Sequence, residues 1–376
     1  MRWRDAFAVA AVTFVPAMLL SRLLMPLAAR LAGATGMVAP VRADRLHREP
    51  RPYGGGIAMG ATVACLGLLA FLLLPRFIED DVYTDFWGSA LMQIACDAPA
   101  MPAIGAGAFL FLLLGLVDDR HALAPCAKLA VQMLAACLVV LGLGLKATVW
   151  LEIRGLPEAI SVLWIVAVVN AYNMLDHADG VAGAVGVASL AALALGQFVV
   201  DEYLVAGTAL VAAGALAGFL AYNAPPAQLF MGNAGTMLVG YFLAALTIQA
   251  QYYHEGQTPS RLVVLIPLAI LAVPLFDMVC VVAARLRRRQ NPFRGDATSH
   301  LAHRMLARGW SPRGIVAFAA GATAVTGAAS VSMYFLAGAA LVVPWLVVAA
   351  VLAAMLLVRR PARRSVQPAP EGRNAL

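Results

Sequence analysis

The chain has 376 residues, 62% of them hydrophobic and only 12% charged, and its formal net charge of +7 is carried almost wholly by arginine. A soluble domain carries about 25% charged residues, so the composition excludes a water-soluble enzyme and points to an all-α polytopic membrane protein. Arginine excess in such a chain speaks of topology and of anionic lipid or phosphate, and nucleic acid is not an expected partner.

Apolar runs predict about eleven transmembrane helices, near residues 6–28, 56–75, 101–117, 126–145, 157–173, 182–200, 203–222, 236–253, 262–284, 314–334 and 337–358. The first follows basic residues without a small-residue cleavage site before a soluble domain, and so reads as a span rather than a removed signal peptide. Basic residues cluster between the first two spans (Arg42, Arg45, Arg48, Arg51), between the ninth and tenth (Arg285 to Arg313), and after the last (Arg359, Arg360, Arg363, Arg364). The positive-inside rule then sets the N-terminus outside and the C-terminus in the cytoplasm, against a weaker contrary signal from Arg2 and Arg4. Residues 1–360 read as one integral-membrane domain and 361–376 as a disordered tail. The five cysteines form no CxxC or CxH pair, so no zinc site or disulfide framework is expected, and they read as small core residues.

With this topology the polar motifs fall on the cytoplasmic side. The loop 42–56 (RADRLHREPRPYGGG) offers His47 and arginines to phosphate and glycines for close backbone approach; standing alone, it would equally be a positive-inside anchor with a turn. Next comes GLVDDRHALAPCAKLAVQ, residues 115–132. Asp118 and Asp119 are adjacent carboxylates at a membrane boundary, and a metal, another cation or a proton must offset their repulsion. Lys128 and Gln132 share a face of the following helix. A lone lysine there can snorkel, but beside the two aspartates it reads better as a phosphate ligand.

The stretch NAYNMLDHADGVAGAVG, residues 170–186, joins two apolar runs. Asn170, Asn173 and Asp176 would each drift by about 60° on a continuing helix, so all three can face one pocket, whereas Asp179 points away unless the helix breaks. Gly180 and Gly183 permit that break. A polar capping loop is the plainer alternative, but four such groups at a membrane edge favour function. In FMGNAGT, residues 230–236, Gly232 and Gly235 frame Asn233 in a turn, and Thr236 is a candidate cap. The loop 285–311 carries His300, His303 and Arg304 at helical spacing; with no third histidine or cysteine beside them, phosphate binding or proton transfer is expected before zinc. Asp277 is one more carboxylate inside a span, for which an arginine of that loop is the expected partner.

Taken in order, GLVDD with Lys128 and Gln132, NAYNMLDHADG, FMGNAGT and GD–H–x–x–HR resemble the polyprenyl-phosphate N-acetylhexosamine-1-phosphate transferases, across roughly residues 40–311. The resemblance implies transfer of a sugar-1-phosphate from a UDP-sugar to undecaprenyl or another polyprenyl phosphate. This would give a polyprenyl-pyrophosphoryl sugar and UMP, and would initiate a cell-envelope glycan at the inner, cytoplasmic membrane with the active site facing the cytoplasm. It implies Mg²⁺, with Mn²⁺ as a substitute, and leaves a homodimer open. Asp118, Asp119 and Lys128 inherit the lipid phosphate, while Asn173, Asp176 and Asp179 inherit the nucleotide–metal pocket. His300, His303 and Arg304 inherit the donor diphosphate. His47 and Gly55–Gly56 match the first cytoplasmic loop. The catalytic set is then Asp118, Asp119, Asp176 and Asp179, with His47, Lys128, Asn170, Asn173, His300, His303 and Arg304 on substrates, and Asp176, Asn173 and Asn233 at the metal.

Two departures stand out: GNAGT replaces the family's GDxGS, so Asn233 stands for a metal-binding aspartate, and HLAHR puts Ala302 where many members carry a histidine. The alternatives are a non-catalytic homologue with an altered metal site and a membrane transporter, against which stand polar groups gathered at one face and the lack of a two-half repeat.

Overall fold

A backbone crossing lipid must satisfy its polar groups internally, and the chain does so almost entirely with helices. The computed structural model describes residues 3–39, 51–79, 93–94, 100–147, 153–253, 260–291 and 300–359. Helix α1 spans Trp3–Ala34, then a minimal antiparallel ladder pairs β1 (Val38–Ala39) with β2 (Arg51–Pro52). There follow α2 (Gly55–Glu79), α3 (Met101–His121), α4 (Pro125–Cys137, prolonged by a wide turn through Gly142), α5 (Leu156–Leu175), α6 (Val181–Val199), α7 (Tyr203–Asn223) and α8 (Gly232–Gln249). A 3₁₀ turn at Arg261–Leu265 leads into α9 (Ile266–Ile270) and α10 (Ala272–Arg287). The chain then forms α11 (Leu301–Leu306), α12 (Pro312–Ser332) and α13 (Val342–Arg359). Proline opens α3, α4, α5 and α12 within their first two positions, where its missing N–H costs nothing.

Among the described residues, nine helices are long and apolar enough to cross a membrane, and the segments Arg261–Ile270 and Ala272–Arg287 form a further pair bent by 65°. Each of the eleven expected spans falls on a helix, but α8 is not apolar enough to be counted with these. Its polar Asn233, Thr236, Tyr241, Thr247 and Gln249 explain the shortfall. The same helix is the most enclosed: every residue from Ala234 to Ile248 is buried, against α2, α3, α5, α6 and α7. A helix with other helices on every side does not have to be lipophilic all round. The outer helices show the opposite pattern, with Phe7, Leu23 and Leu27 of α1 and Phe71 of α2 well exposed, as a lipid-facing surface requires.

Small residues let α2 and α3 approach α8 closely, as in other membrane bundles. A β-carbon on Gly56 would lie 2.3 Å from the backbone nitrogen of Gly235, and one on Gly115 would lie 2.4 Å from Ala234 Cα. The backbone N–H groups of Gly55 and Gly56 donate to the carbonyls of Phe230 and Met231, so the start of α2 is stitched to the turn before α8. Gly56→Ala should therefore lower the thermal midpoint in detergent by about 3 °C or more, because neither backbone can yield; an unchanged midpoint would contradict this packing. The cysteines correct an expectation: Cys65 and Cys126 are exposed and Cys137 and Cys280 half-buried, so none of these four is a core residue.

Candidate active site

The two adjacent aspartates of α3 have separate partners. Asp118, only 8% exposed, forms an ion pair with Lys128 Nζ at 2.8 Å, and its other oxygen accepts the Leu123 N–H. Asp119 accepts from the Asn233 N–H at 2.7 Å, the Asn233 side-chain amide at 3.1 Å and the Ala234 N–H at 3.0 Å. Those N–H groups belong to the first turn of α8, where helical partners are lacking and the helix dipole favours an anion. Gly232 has to be glycine here: its φ is +71°, and a β-carbon would lie 2.5 Å from Asp119 Oδ2. The charge offset anticipated for the pair is thus Lys128 on one side and a helix end on the other.

Lys128 is the centre of the cluster. Its three N–H groups are taken by Asp118 Oδ2, Asn233 Oδ1 at 3.0 Å and Asn173 Oδ1 at 3.2 Å. Asn173 in turn donates to Asn233 Oδ1 at 2.8 Å and to Thr236 Oγ1 at 2.6 Å. One turn back, Asn170 donates to the buried Gln132. The helical spacing of Asn170 and Asn173 therefore does aim both at α4, and Lys128 and Gln132 receive them. Three hard oxygens from α3, α5 and α8 converge on one cation, which here is an ammonium. That donor chemistry suits Mg²⁺ as well, but a metal held by Asn173 and Asn233 needs both oxygens released by Lys128.

α5 stops at Leu175, and Asp176 caps its end with φ −80° and ψ 61°. Gly180, at φ +76°, supplies the break that turns the chain into α6. Its N–H donates to Asn223 Oδ1, and Asp179 Oδ2 accepts the Ala227 N–H at 3.0 Å, which ties this turn to the one after α7. Asp179 also lines a cavity of about 430 Å³ with Pro225, Pro226, Leu306, Arg313 and Ile315. Lys128, Asn173 and Asn233 are not among the residues that line this cavity.

Three histidines gather across this turn. His177 faces His300 with ring centroids 4.1 Å apart and His303 at 5.7 Å. The sequence supplied no third histidine beside the pair in the loop; the fold supplies one from 123 residues earlier. His177 Nδ1 lies 3.1 Å from the Met174 carbonyl and so carries the proton, which leaves Nε2 as a buried acceptor without a protein partner among the described residues. Burial, then neighbouring His300, push this imidazole down to about 3 from its ordinary 6.5, so it is neutral. His177, His300 and Asp277 are close enough to share a cation. The two rings lie against each other with their planes tilted by 30°, and Asp277 is already engaged by both His300 and Arg359. A structural ion-pair network describes the group better than a metal centre.

One expectation changes here. Among the described residues the arginine paired with Asp277 is Arg359 of the last helix, where an arginine of the 285–311 loop was expected. Arg304 Nη1 donates to the Arg359 carbonyl at 2.7 Å, which ties that nitrogen to the end of α13. His47 lies outside the described residues. Thr236, His177 and Asp277 join the site without having been assigned to it; the intramembrane position of Asp277 was the available signal.

The pairing of each aspartate sets up a test. Asp118→Asn and Asp119→Asn should each cost more than about tenfold in turnover, since a charged contact of this kind contributes more than about 1.4 kcal/mol. Only Asp119→Asn should also lower the thermal midpoint appreciably, by loosening the start of α8. Wild-type rates in both variants would reduce the pair to a helix-end feature.

The profile of glycosyl transferase family 4 matches residues 101–251, which takes in α3 to α8 and hence the whole lysine cluster. Over 330 residues the chain is 32% identical to the decaprenyl-phosphate N-acetylglucosaminephosphotransferase of Mycolicibacterium smegmatis, covering 78% of this chain and 77% of that protein. It is 31% identical to the protein of the same name from Mycobacterium tuberculosis, over 84% of each chain. It is 29% identical to the probable undecaprenyl-phosphate N-acetylglucosaminyl 1-phosphate transferase of Bacillus subtilis, over 80% of this chain and 78% of that one.

Proposed function

The chain belongs to glycosyl transferase family 4, among the polyprenyl-phosphate N-acetylhexosamine-1-phosphate transferases, and from that premise we propose that it moves a sugar-1-phosphate from a UDP-sugar to polyprenyl phosphate. The sugar is an N-acetylhexosamine, the lipid is undecaprenyl or a related polyprenyl phosphate, and the products are a polyprenyl-pyrophosphoryl sugar and UMP. The observation that carries this reading is the single ammonium of Lys128 held by oxygens of three helices at a membrane boundary, where a lipid phosphate arrives.

A lipid-phosphate oxygen attacks the sugar-bearing phosphorus, and the bond to the bridging oxygen of the diphosphate breaks, leaving with UMP. Both reactants are anions, so the protein's task is to suppress their repulsion and align them in line. Lys128 serves by turning one or more N–H groups from the asparagines to the lipid phosphate. Asp118 keeps the ammonium at the site, and Asp119 holds the start of α8, and with it Asn233, in place. His300 and His303 receive the donor diphosphate. Once Lys128 turns away from both asparagines, Asn173, Asn233 and Asp176 would be the residues to hold Mg²⁺, which would supply further neutralisation of the diphosphate charge. The attacking oxygen is already ionised, so no strong general base is needed. Purified protein should release UMP from a UDP-N-acetylhexosamine only when polyprenyl phosphate is present; release independent of lipid, or none with any UDP-sugar, would sink the reading. The second outcome would favour a non-catalytic homologue, for which Asn233 is the supporting feature.

The arginine distribution supports eleven spans with the N-terminus outside and the site facing the cytoplasm, as initiation of a cell-envelope glycan at the inner membrane requires. In a cysteine-free background, Cys at position 85 should react with an impermeant reagent in intact cells while Cys at 290 is protected. The reverse labelling would invert the topology and remove the enzyme from its cytoplasmic donor.

A further inference from the structure

We infer that Arg359, the last described residue of the last helix, is a positioning residue for the transfer site, acting through Asp277 to hold His300 in place. The inference rests on the role just proposed for His300.

The helix that presents the histidines is poorly equipped to hold itself. α11 has six residues, Leu301–Leu306, well short of what an isolated helix needs, so its position has to come from tertiary contacts. Asp277 of α10 supplies the first. It is fully buried, its Oδ2 lies 3.0 Å from His300 Nδ1, and its Oδ1 accepts the Leu301 N–H at 3.2 Å. One carboxylate thus fixes both the ring and the backbone at the start of α11. A carboxylate bonded to Nδ1 also selects the tautomer, leaving His300 Nε2 to face outward from the pair.

A fully buried carboxylate needs a counter-charge, and Arg359 provides it. Arg359 is only 6% exposed, and its guanidinium pairs with the same Asp277 Oδ1 that holds Leu301. The return contacts come from α11 and the turn that follows it. Arg304 donates to the Arg359 carbonyl at 2.7 Å, and Arg308 donates to the Leu357 carbonyl at 3.0 Å and to that of Val358. The carbonyls that α13 leaves unsatisfied at its end are therefore capped by the histidine segment, while the side chain of α13's last residue neutralises the carboxylate that anchors that segment. The contacts close a loop between α10, α11 and α13, with His300 on its inner side.

The experiment is a double-mutant cycle on purified full-length protein, preceded by wild-type turnover of a UDP-N-acetylhexosamine with polyprenyl phosphate. Arg359→Met should lower kcat/KM at least about tenfold, Arg359→Lys should recover part of that loss, and Arg359→Met added to His300→Ala should cost little more than His300→Ala alone. Non-additivity of this kind is expected when one residue acts through the other. A merely structural arginine would lower the His300→Ala variant by the same factor again. Hydrogen exchange gives a readout independent of turnover: the peptide containing Leu301 should exchange faster in Arg359→Met than in wild type, with peptides of α8 unchanged. If Arg359→Met does not fold, Arg359→Lys takes its place in both measurements, with smaller effects in the same directions. Full additivity, wild-type kinetics, or unchanged exchange at Leu301 overturns the inference. An inactive wild type overturns the transfer reading instead, and the exchange result then decides the Arg359 contact by itself.

Discussion

Lys128→Met should leave a folded protein whose transfer rate is lower by at least about tenfold and nearer about 100-fold, the value of one charge-assisted contact to phosphate at about 1.5–3 kcal/mol. The geometry makes this the most damaging single change. The ammonium joins Asp118, Asn173 and Asn233, so methionine removes a phosphate ligand and leaves a nearly buried carboxylate without its partner. The unpaired carboxylate of Asp118 would then face the incoming phosphate with no cation between them, which destroys the electrostatics of the site. Arginine should not restore the rate, because a planar guanidinium cannot reproduce three bonds directed from one nitrogen to oxygens on three helices. A Lys128→Met enzyme within about twofold of wild type would mean that the lipid phosphate binds elsewhere.

Asn233→Asp should shift the metal requirement, and the structure shows why the shift has two parts. The Asn233 side-chain amide donates to Asp119 Oδ1 at 3.1 Å, so an aspartate there turns that hydrogen bond into a contact between carboxylates. Without divalent ions the variant should melt below wild type. Mg²⁺ or Mn²⁺ should raise its midpoint more than it raises the wild type's, as expected when a ligand binds the native state more tightly. The Mg²⁺ concentration for half-maximal rate should fall by about tenfold, because the added charge acts on the ion at close range. Equal metal titrations for wild type, Asn233→Asp and Asn233→Ala, in both melting and rate, would remove Asn233 from the metal. An inactive wild type rescued by Asn233→Asp would establish the non-catalytic reading.

Much of this site was legible in the sequence because it is built from short-range spacing. Asn170 and Asn173, and Lys128 and Gln132, lie one helical turn apart, and a helix period alone predicts that each pair shares a face. Which faces meet is a tertiary matter. Nothing local to Asp277 shows that its cation stands 82 residues away at Arg359, or that His177 comes to lie against His300 and His303. The break at Gly180 was readable from glycine's tolerance of positive φ, but the tie from Asp179 to Ala227 was not. α8 was legible as a helix but its enclosure by five others was not, since apolar content records which neighbours a helix has and not only whether it crosses the membrane.

The central claim is that phosphorus moves with the sugar, and it is tested most directly with a UDP-N-acetylhexosamine labelled at the sugar-bearing phosphorus. Incubated with the purified protein, Mg²⁺ and polyprenyl phosphate, the label is expected to pass into the lipid fraction in step with release of unlabelled UMP. Label retained in free UDP while the sugar alone reaches the lipid would contradict the claim, because the enzyme would then be breaking the sugar–phosphate bond and not the diphosphate.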